Sequence, residues 1–162
     1  MLTSYLQDKL LTKFPADIQE ANAHIAGLKS DAQLAAAHPQ GKEEFCGMVI
    51  KGVAYDEKKT AGERLVLACS ELPNSEEKVI GSYRGFTMSV EFSAWKQEYT
   101  LLLKGQMTHR ASLGTDPRGN LTRIDNALAQ MPQRLEAVKN QLDNLYQQQA
   151  AAKEEIGKPF PF

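Results

Sequence analysis

The chain is poor in every residue type that staples, anchors or strongly charges a protein. Two cysteines in 162 residues exclude a disulfide framework. Both are read as buried reduced thiols, Cys46 opening a strand and Cys69 on the apolar side of a helix. No apolar run approaches the ~20 residues needed to span a bilayer. The start, Met-Leu-Thr-Ser-Tyr-Leu-Gln-Asp-Lys, lacks the basic head and apolar core of a signal peptide. Cytoplasmic residence is therefore the default expectation, with no membrane partner. A net charge of −1 provides no global basic field to recruit nucleic acid. His24, His38 and His109 lie far apart, and none has metal-ligand spacing with a cysteine or another histidine. Each is read as a surface or partly buried polar residue. There is no P-loop, no Gly-x-Gly-x-x-Gly, no Gly-x-Ser-x-Gly and no evident catalytic carboxylate pair. The expectation is a chain that is not an enzyme and carries no metal or cofactor of its own.

What the chain does have is periodicity. Leu121, Ile124, Leu128, Met131, Leu135, Val138, Leu142 and Leu145 alternate spacings of three and four, the period of a helix seam packed along another helix. Ile18, Ala21, Ile25, Leu28, Ala32 and Ala35 repeat that spacing near the start and offer a partner. The first helix is expected from Leu2 and is interrupted at Phe14-Pro15, because proline disfavours helical geometry in the residue before it. A second helix then runs from about Ala16 to Ala37. The long C-terminal helix is expected over 121–156, about 54 Å at 1.5 Å per residue. Pro132 kinks or briefly interrupts it. The final Phe160-Pro161-Phe162 is read as the cut edge of a larger protein.

Between the helices the period changes. Phe45 to Tyr55 reads as one strand. Thr60-Ala-Gly-Glu63 matches a capping box for a helix over 61–72, closed by Pro73-Asn74-Ser75. A meander follows over 79–83, 86–92, 99–103 and 107–113. In it Phe86, Met88, Val90 and Phe92 alternate with polar residues, as in a strand wet on one face. Arg84-Gly85 and Lys104-Gly105-Gln106 supply turns, and Trp95 packs the link between two strands. Asp116-Pro117-Arg118-Gly119 suits a type I turn, with Asn120 capping the helix after it.

Two segments have residues suited to binding. Tyr83-Arg84-Gly85-Phe86 places aromatics beside an arginine in a tight turn, able to stack on a base and touch a phosphate. The competing reading is a hairpin whose aromatics join the core. The second segment is the basic stretch 105–140, with five Lys or Arg against three acids. It carries Arg110, Arg118, Arg123 and Arg134, with Asn126 beside the Arg123-Ile124-Asp125 run. The competing reading is a solvated face with local ion pairs. If nucleic acid is bound, the candidate residues are Tyr83, Arg84, Arg110, Arg118, Arg123 and Asn126.

Three stretches carry a resemblance: Ile80-Gly-Ser-Tyr-Arg-Gly-Phe86, Leu113-Gly-Thr-Asp-Pro-Arg-Gly-Asn-Leu-Thr-Arg-Ile-Asp-Asn-Ala-Leu128 and Met131-Pro-Gln-Arg-Leu-Glu-Ala-Val138. From about Gly47 onward the chain resembles the C-terminal region of very large bacterial proteins from conjugative transposons and phages. Those proteins join a Swi/Snf-like or DEAD-type helicase to an adenine-specific DNA methyltransferase. The resemblance implies a DNA-handling parent that uses ATP and S-adenosylmethionine in other domains. It transfers no catalytic residue, since none of those motifs is in this chain.

The expected fold is α+β in one domain, 1–162. An antiparallel meander of four to five strands with one short helix (45–115) lies between N-terminal helices (1–38) and a long C-terminal helix (120–157). The terminal helices pair as an antiparallel coiled-coil-like hairpin, with pairing between chains, as a homodimer, the competing arrangement. The expected function is a non-catalytic accessory module of a helicase–methyltransferase. It contacts DNA or positions the parent's other domains. The alternative is a protein-interaction or oligomerisation module acting through the helical seams.

Overall fold

The computed structural model describes residues 2–39, 45–72 and 76–157, so the Pro73-Asn74-Ser75 stop and the Phe160-Pro161-Phe162 ending lie outside the described residues. The element order is α1 (Leu2–Asp8), a π-helical segment (Lys9–Lys13), α2 (Phe14–Ala37), β1 (Met48–Ile50), β2 (Val53–Tyr55) and α3 (Lys58–Ser70). Then come β3 (Lys78–Tyr83), β4 (Phe86–Ser93), β5 (Glu98–Lys104), β6 (Thr108–Leu113), α4 (Pro117–Ala129) and α5 (Met131–Gly157). The class is α+β, with one antiparallel six-stranded sheet in the order β2-β1-β3-β4-β5-β6. The Cα packing divides the chain into two compact units, 1–28 with 133–162, and 29–132.

In the first unit Phe14-Pro15 does not break the helix. The chain winds from α1 into α2 through the π-helical segment, where the Phe14 N–H bonds to the Lys9 carbonyl. Widening the preceding turn is one way to seat a proline ring that would clash in a regular α-helix. Phe14, Ala21 and Leu28 are buried at seven-residue intervals, as are Val138 and Ala152, fourteen apart. Ile18, Ile25, Leu135, Leu142 and Leu145 are only half-buried, so the seam is narrower than the three-four pattern.

The second unit holds the sheet. The expected strand over 45–55 is a two-strand hairpin. Lys51 and Gly52 both take positive φ (50° and 79°), which reverses the chain and raises the strand number to six. Gly81 is forced by proximity: a Cβ there would lie 1.8 Å from the Val49 carbonyl oxygen across the β1–β3 pairing. Phe86, Met88, Val90, Leu101, Leu103 and His109 line one sheet face and are fully buried. The opposite face is not uniformly wet, because Ser89 and Leu102 on it are 0% and 2% exposed. α3 packs on α4, and α4 lies along β6. The close approach needs Gly62, where a Cβ would stand 2.8 Å from the Pro117 carbonyl oxygen.

Several local expectations are corrected. α3 starts at Lys58 with Glu57 as its N-cap, and Thr60 Oγ1 donates to Glu57 Oε2 rather than opening a capping box. Asp116-Pro117-Arg118-Gly119 is not a free turn: Asp116 is the N-cap of α4 and Pro117 its first residue, where a missing N–H costs nothing. Asn120 is buried inside α4, not at its cap, and both ends of its amide bond Gly114. Pro132 is the second residue of α5, so the long helix is two helices meeting at Gln130. Cys46 is exposed, whereas Cys69 is buried as expected. Trp95 packs nothing and is 91% exposed.

Candidate functional site

The polar features of the second unit converge on the β3–β4 turn. Arg84 and Gly85 adopt φ of 50° and 85°, the two positive values of a hairpin turn matched to strand twist. The turn aims the Arg84 guanidinium at the end of α2. Its Nε donates to the His38 carbonyl at 2.9 Å and its Nη2 to the Ala35 carbonyl at 3.1 Å. Carbonyls at a helix C-terminus lack intrahelical donors and carry the negative end of the helix dipole, so a guanidinium satisfies both needs. Tyr83 is 2% exposed and stacks on Phe45 with centroids 6.0 Å apart. Its hydroxyl donates to Asp125 Oδ1 at 2.6 Å. Burial first, then the Asp125 carboxylate, pushes this phenol well above its ordinary value. The aromatic of this turn thus joins the core, the competing reading of the segment.

A cleft of about 470 Å³ opens beside the turn, lined by Lys58, Arg84, Thr122, Asp125 and Asn126 among others. A second, of about 510 Å³, lies on the other side of Arg84 and includes His38, Cys46, Tyr55, Asp56 and Ser82. The second contains the exposed thiol. Desolvation by the atoms crowding Cys46 raises its pKa, outweighing the nearby Arg84 cation. Burial raises Cys69 to about 11. Both sulfurs are therefore protonated at neutral pH, the opposite of what a nucleophilic cysteine needs. Among the described residues, no group of three or more His, Cys, Asp or Glu side chains is placed to hold a metal ion.

The remaining candidates lie beside the β6 edge and on α4. Arg110 is exposed on β6, and Arg118 is exposed in the first turn of α4. Arg123 Nη1 donates to the Ser112 carbonyl at 3.3 Å. Ser112 is two residues beyond Arg110 on β6. Arg123 and α4 together shield what would be an open sheet edge. Asn126 is exposed and lines the first cleft. Arg110, Arg118 and Arg123 are thus exposed on β6 and α4, two elements that pack together, while Tyr83, Arg84 and Asn126 lie around the β3–β4 turn and the first cleft.

Sequence reasoning missed the tightest polar cluster. Asp31 and His109 are 1% and 0% exposed, with Asp31 Oδ2 2.7 Å from His109 Nε2. The same carboxylate accepts the Gln106 N–H at 2.7 Å and the Met107 N–H at 2.9 Å. The ring of Phe86 meets His109 edge-on at 5.5 Å. A Cβ on Gly105 would strike Asp31 Oδ1, which leaves glycine as the residue that fits the loop. The pair is sealed from solvent, so its role is to clamp α2 to the β5–β6 loop. No local signal pointed to it, because the partners lie 78 residues apart. No family model, curated protein or solved structure matches the chain.

Proposed function

We propose that this chain is a non-catalytic accessory module of a DNA-handling protein, touching DNA through the arginines beside β6 and at the start of α4. One observation carries the reading. The side chains of Arg110 and Arg118 are exposed and make no hydrogen bond or ion pair with a described residue, and Arg123 is exposed on the neighbouring helix, bonded to the Ser112 carbonyl of the same strand as Arg110. Such cations are free to neutralise phosphates, whereas the Arg84 guanidinium is committed to α2 and Tyr83 to the core. In this reading the terminal helices pair as an antiparallel coiled-coil-like hairpin that positions neighbouring domains of the parent. The buried series Phe14, Ala21 and Leu28 in α2, with Val138 and Ala152 in α5, supports that pairing.

The test is a titration of the purified chain against single- and double-stranded DNA at several salt concentrations. Binding should weaken steeply with salt, with a log–log slope of about −0.9 per duplex phosphate contact. Arg110→Ala with Arg118→Ala should make the slope shallower by up to about two units and leave the melting temperature unchanged. Absence of binding at low salt refutes the DNA reading. Unchanged affinity in the double variant refutes only the site. The second reading, a protein-interaction module, draws on the helical unit, where Leu11, Tyr5 and Tyr146 are 79%, 56% and 47% exposed.

A further inference from the structure

The β4–β5 hairpin ends in the only tryptophan of the chain, 91% exposed. Exposure to that degree is unusual for an indole. The tip is ordered all the same. Ser93 Oγ accepts the Lys96 N–H at 3.2 Å, and Gln97 Nε2 donates to the Ala94 carbonyl at 2.7 Å. Gln97 turns the backbone at φ 54°, and the Phe92 and Tyr99 rings pack at 4.8 Å on the rung below. The hairpin also projects. Pairing of β3 with β4 reaches only Lys78–Val90, so Glu91, Phe92 and Ser93 pair with β5 alone. On the other flank β6 pairs with β5 as far as Tyr99, so the hairpin stands free of both neighbours from the Ser93–Glu98 pair outward, and this short arm holds the indole out in water.

A slot of matching character lies elsewhere on the same chain. Ile50, Val53, Leu67 and Ala68 give it apolar walls, and Lys51, Arg64 and Glu71 stand at its rim around about 190 Å³. Val53 and Leu67 are 51% and 45% exposed there. Lys51 is paired with Glu71, whereas the exposed Arg64 side chain has no hydrogen bond or ion pair to a described residue. β1 is antiparallel to β3 and β3 to β4, so β1 and β4 run the same way. The Lys51-Gly52 turn at the slot and the Trp95 arm therefore leave the sheet at the same end. Within one chain β3 lies between them.

We infer that the occupant of the slot is Trp95 from a second copy of this chain. A two-fold arrangement seats both arms in both slots at once, an isologous contact. Glu71 at the rim neutralises Lys51, which leaves Arg64 as the rim's net charge; the arm carries the opposite sign, since Glu91 and Glu98 outnumber Lys96. The same net negative charge disfavours a phosphate backbone as the occupant. The contact is small, so association is weak and concentration-dependent.

The sole tryptophan reports directly on its own burial. Emission spectra and light-scattering mass are measured together on the whole chain, from dilute solution up to roughly 1 mM, the weak end of measurable affinity. A blue shift of the emission that rises together with mass supports the arrangement. Trp95→Ala, Leu67→Asp and Arg64→Glu should each weaken self-association by about tenfold or more, as loss of an interface anchor does. Arg64→Glu combined with Glu98→Arg should restore it. These positions are exposed, and an unchanged melting curve verifies that each variant is folded. A monomer with water-exposed emission over the whole range overturns the inference. So does self-association that survives Trp95→Ala, or a Trp95 emission change produced by DNA while the chain stays monomeric.

Discussion

Replacing Asp31 should damage the protein more than any other single polar substitution described above. The carboxylate is 1% exposed and serves three donors: two backbone amides of the β5–β6 loop and His109 Nε2. Asp31→Ala removes this acceptor from all three in a dry site. Each orphaned buried donor costs about 1–3 kcal/mol. Relaxation and an entering water make the lower sum over the three donors the better guide, so a loss of about 3–5 kcal/mol is expected. In urea, where slopes run about 1–3 kcal/mol per molar, the midpoint should fall by about 2 M. Asp31→Asn keeps the shape and one acceptor oxygen but turns an amide N–H₂ toward a donor. It should lose roughly half as much. Hydrogen exchange at the Gln106 and Met107 amides should accelerate in both variants, which localises the damage to the clamp. A midpoint loss equivalent to less than ~1 kcal/mol in Asp31→Ala, with those amides still protected, would refute the clamp.

Arg84→Ala should destabilise by about 1–3 kcal/mol, since the Ala35 and His38 carbonyls at the end of α2 lose a charged donor; a thermal melt checks it, and a shift within error removes the capping role. Gly81→Ala should cost more, because a Cβ 1.8 Å from the Val49 carbonyl oxygen forces β1 off β3; circular dichroism should show lost strand content or a sharply lower melting point. Cys69 gives a pH test. Its folded pKa of about 11 exceeds the ordinary thiol value of 9.0, so above pH 9 the unfolded chain binds fewer protons than the folded one. Stability attributable to Cys69 should therefore hold below pH 9 and fall between pH 9 and 11, and Cys69→Ala should flatten that slope in denaturant titrations. Deleting residues 1–28 should uncover Val138, Leu142 and Leu145 and produce aggregation or a non-cooperative melt; an unchanged melt rules out the pairing of the terminal helices.

The sequence by itself determined the elements whose cause is local. Alternation over Phe86–Phe92 marked β4, and the glycine after Arg84 marked the hairpin turn, since both depend on neighbours within a few residues. The seven-residue repeats marked the terminal helices for the same reason. Local rules misplaced the elements where two signals competed. Phe45–Tyr55 read as one strand because its apolar residues hid the Lys51-Gly52 reversal. Asp116-Pro117 read as a turn although those residues also start helices. The heptad phase ran through Pro132 without showing that Gln130 ends one helix and Met131 begins the next. Among the candidate site residues, the sequence named the arginines but not their duties. Whether a guanidinium meets a phosphate, a helix end or a strand edge depends on which distant backbone stands within about 3 Å of it, the reach of a hydrogen bond. Tertiary structure alone brought Arg84 to Ala35, Arg123 to Ser112 and Asp31 to His109. It also left Trp95 in water, because β3 ends opposite Val90 and β6 opposite Tyr99, so neither reaches the turn that carries the indole. Burial is a property of the assembled sheet, and no window of sequence around Trp95 contains the strands that fail to reach it.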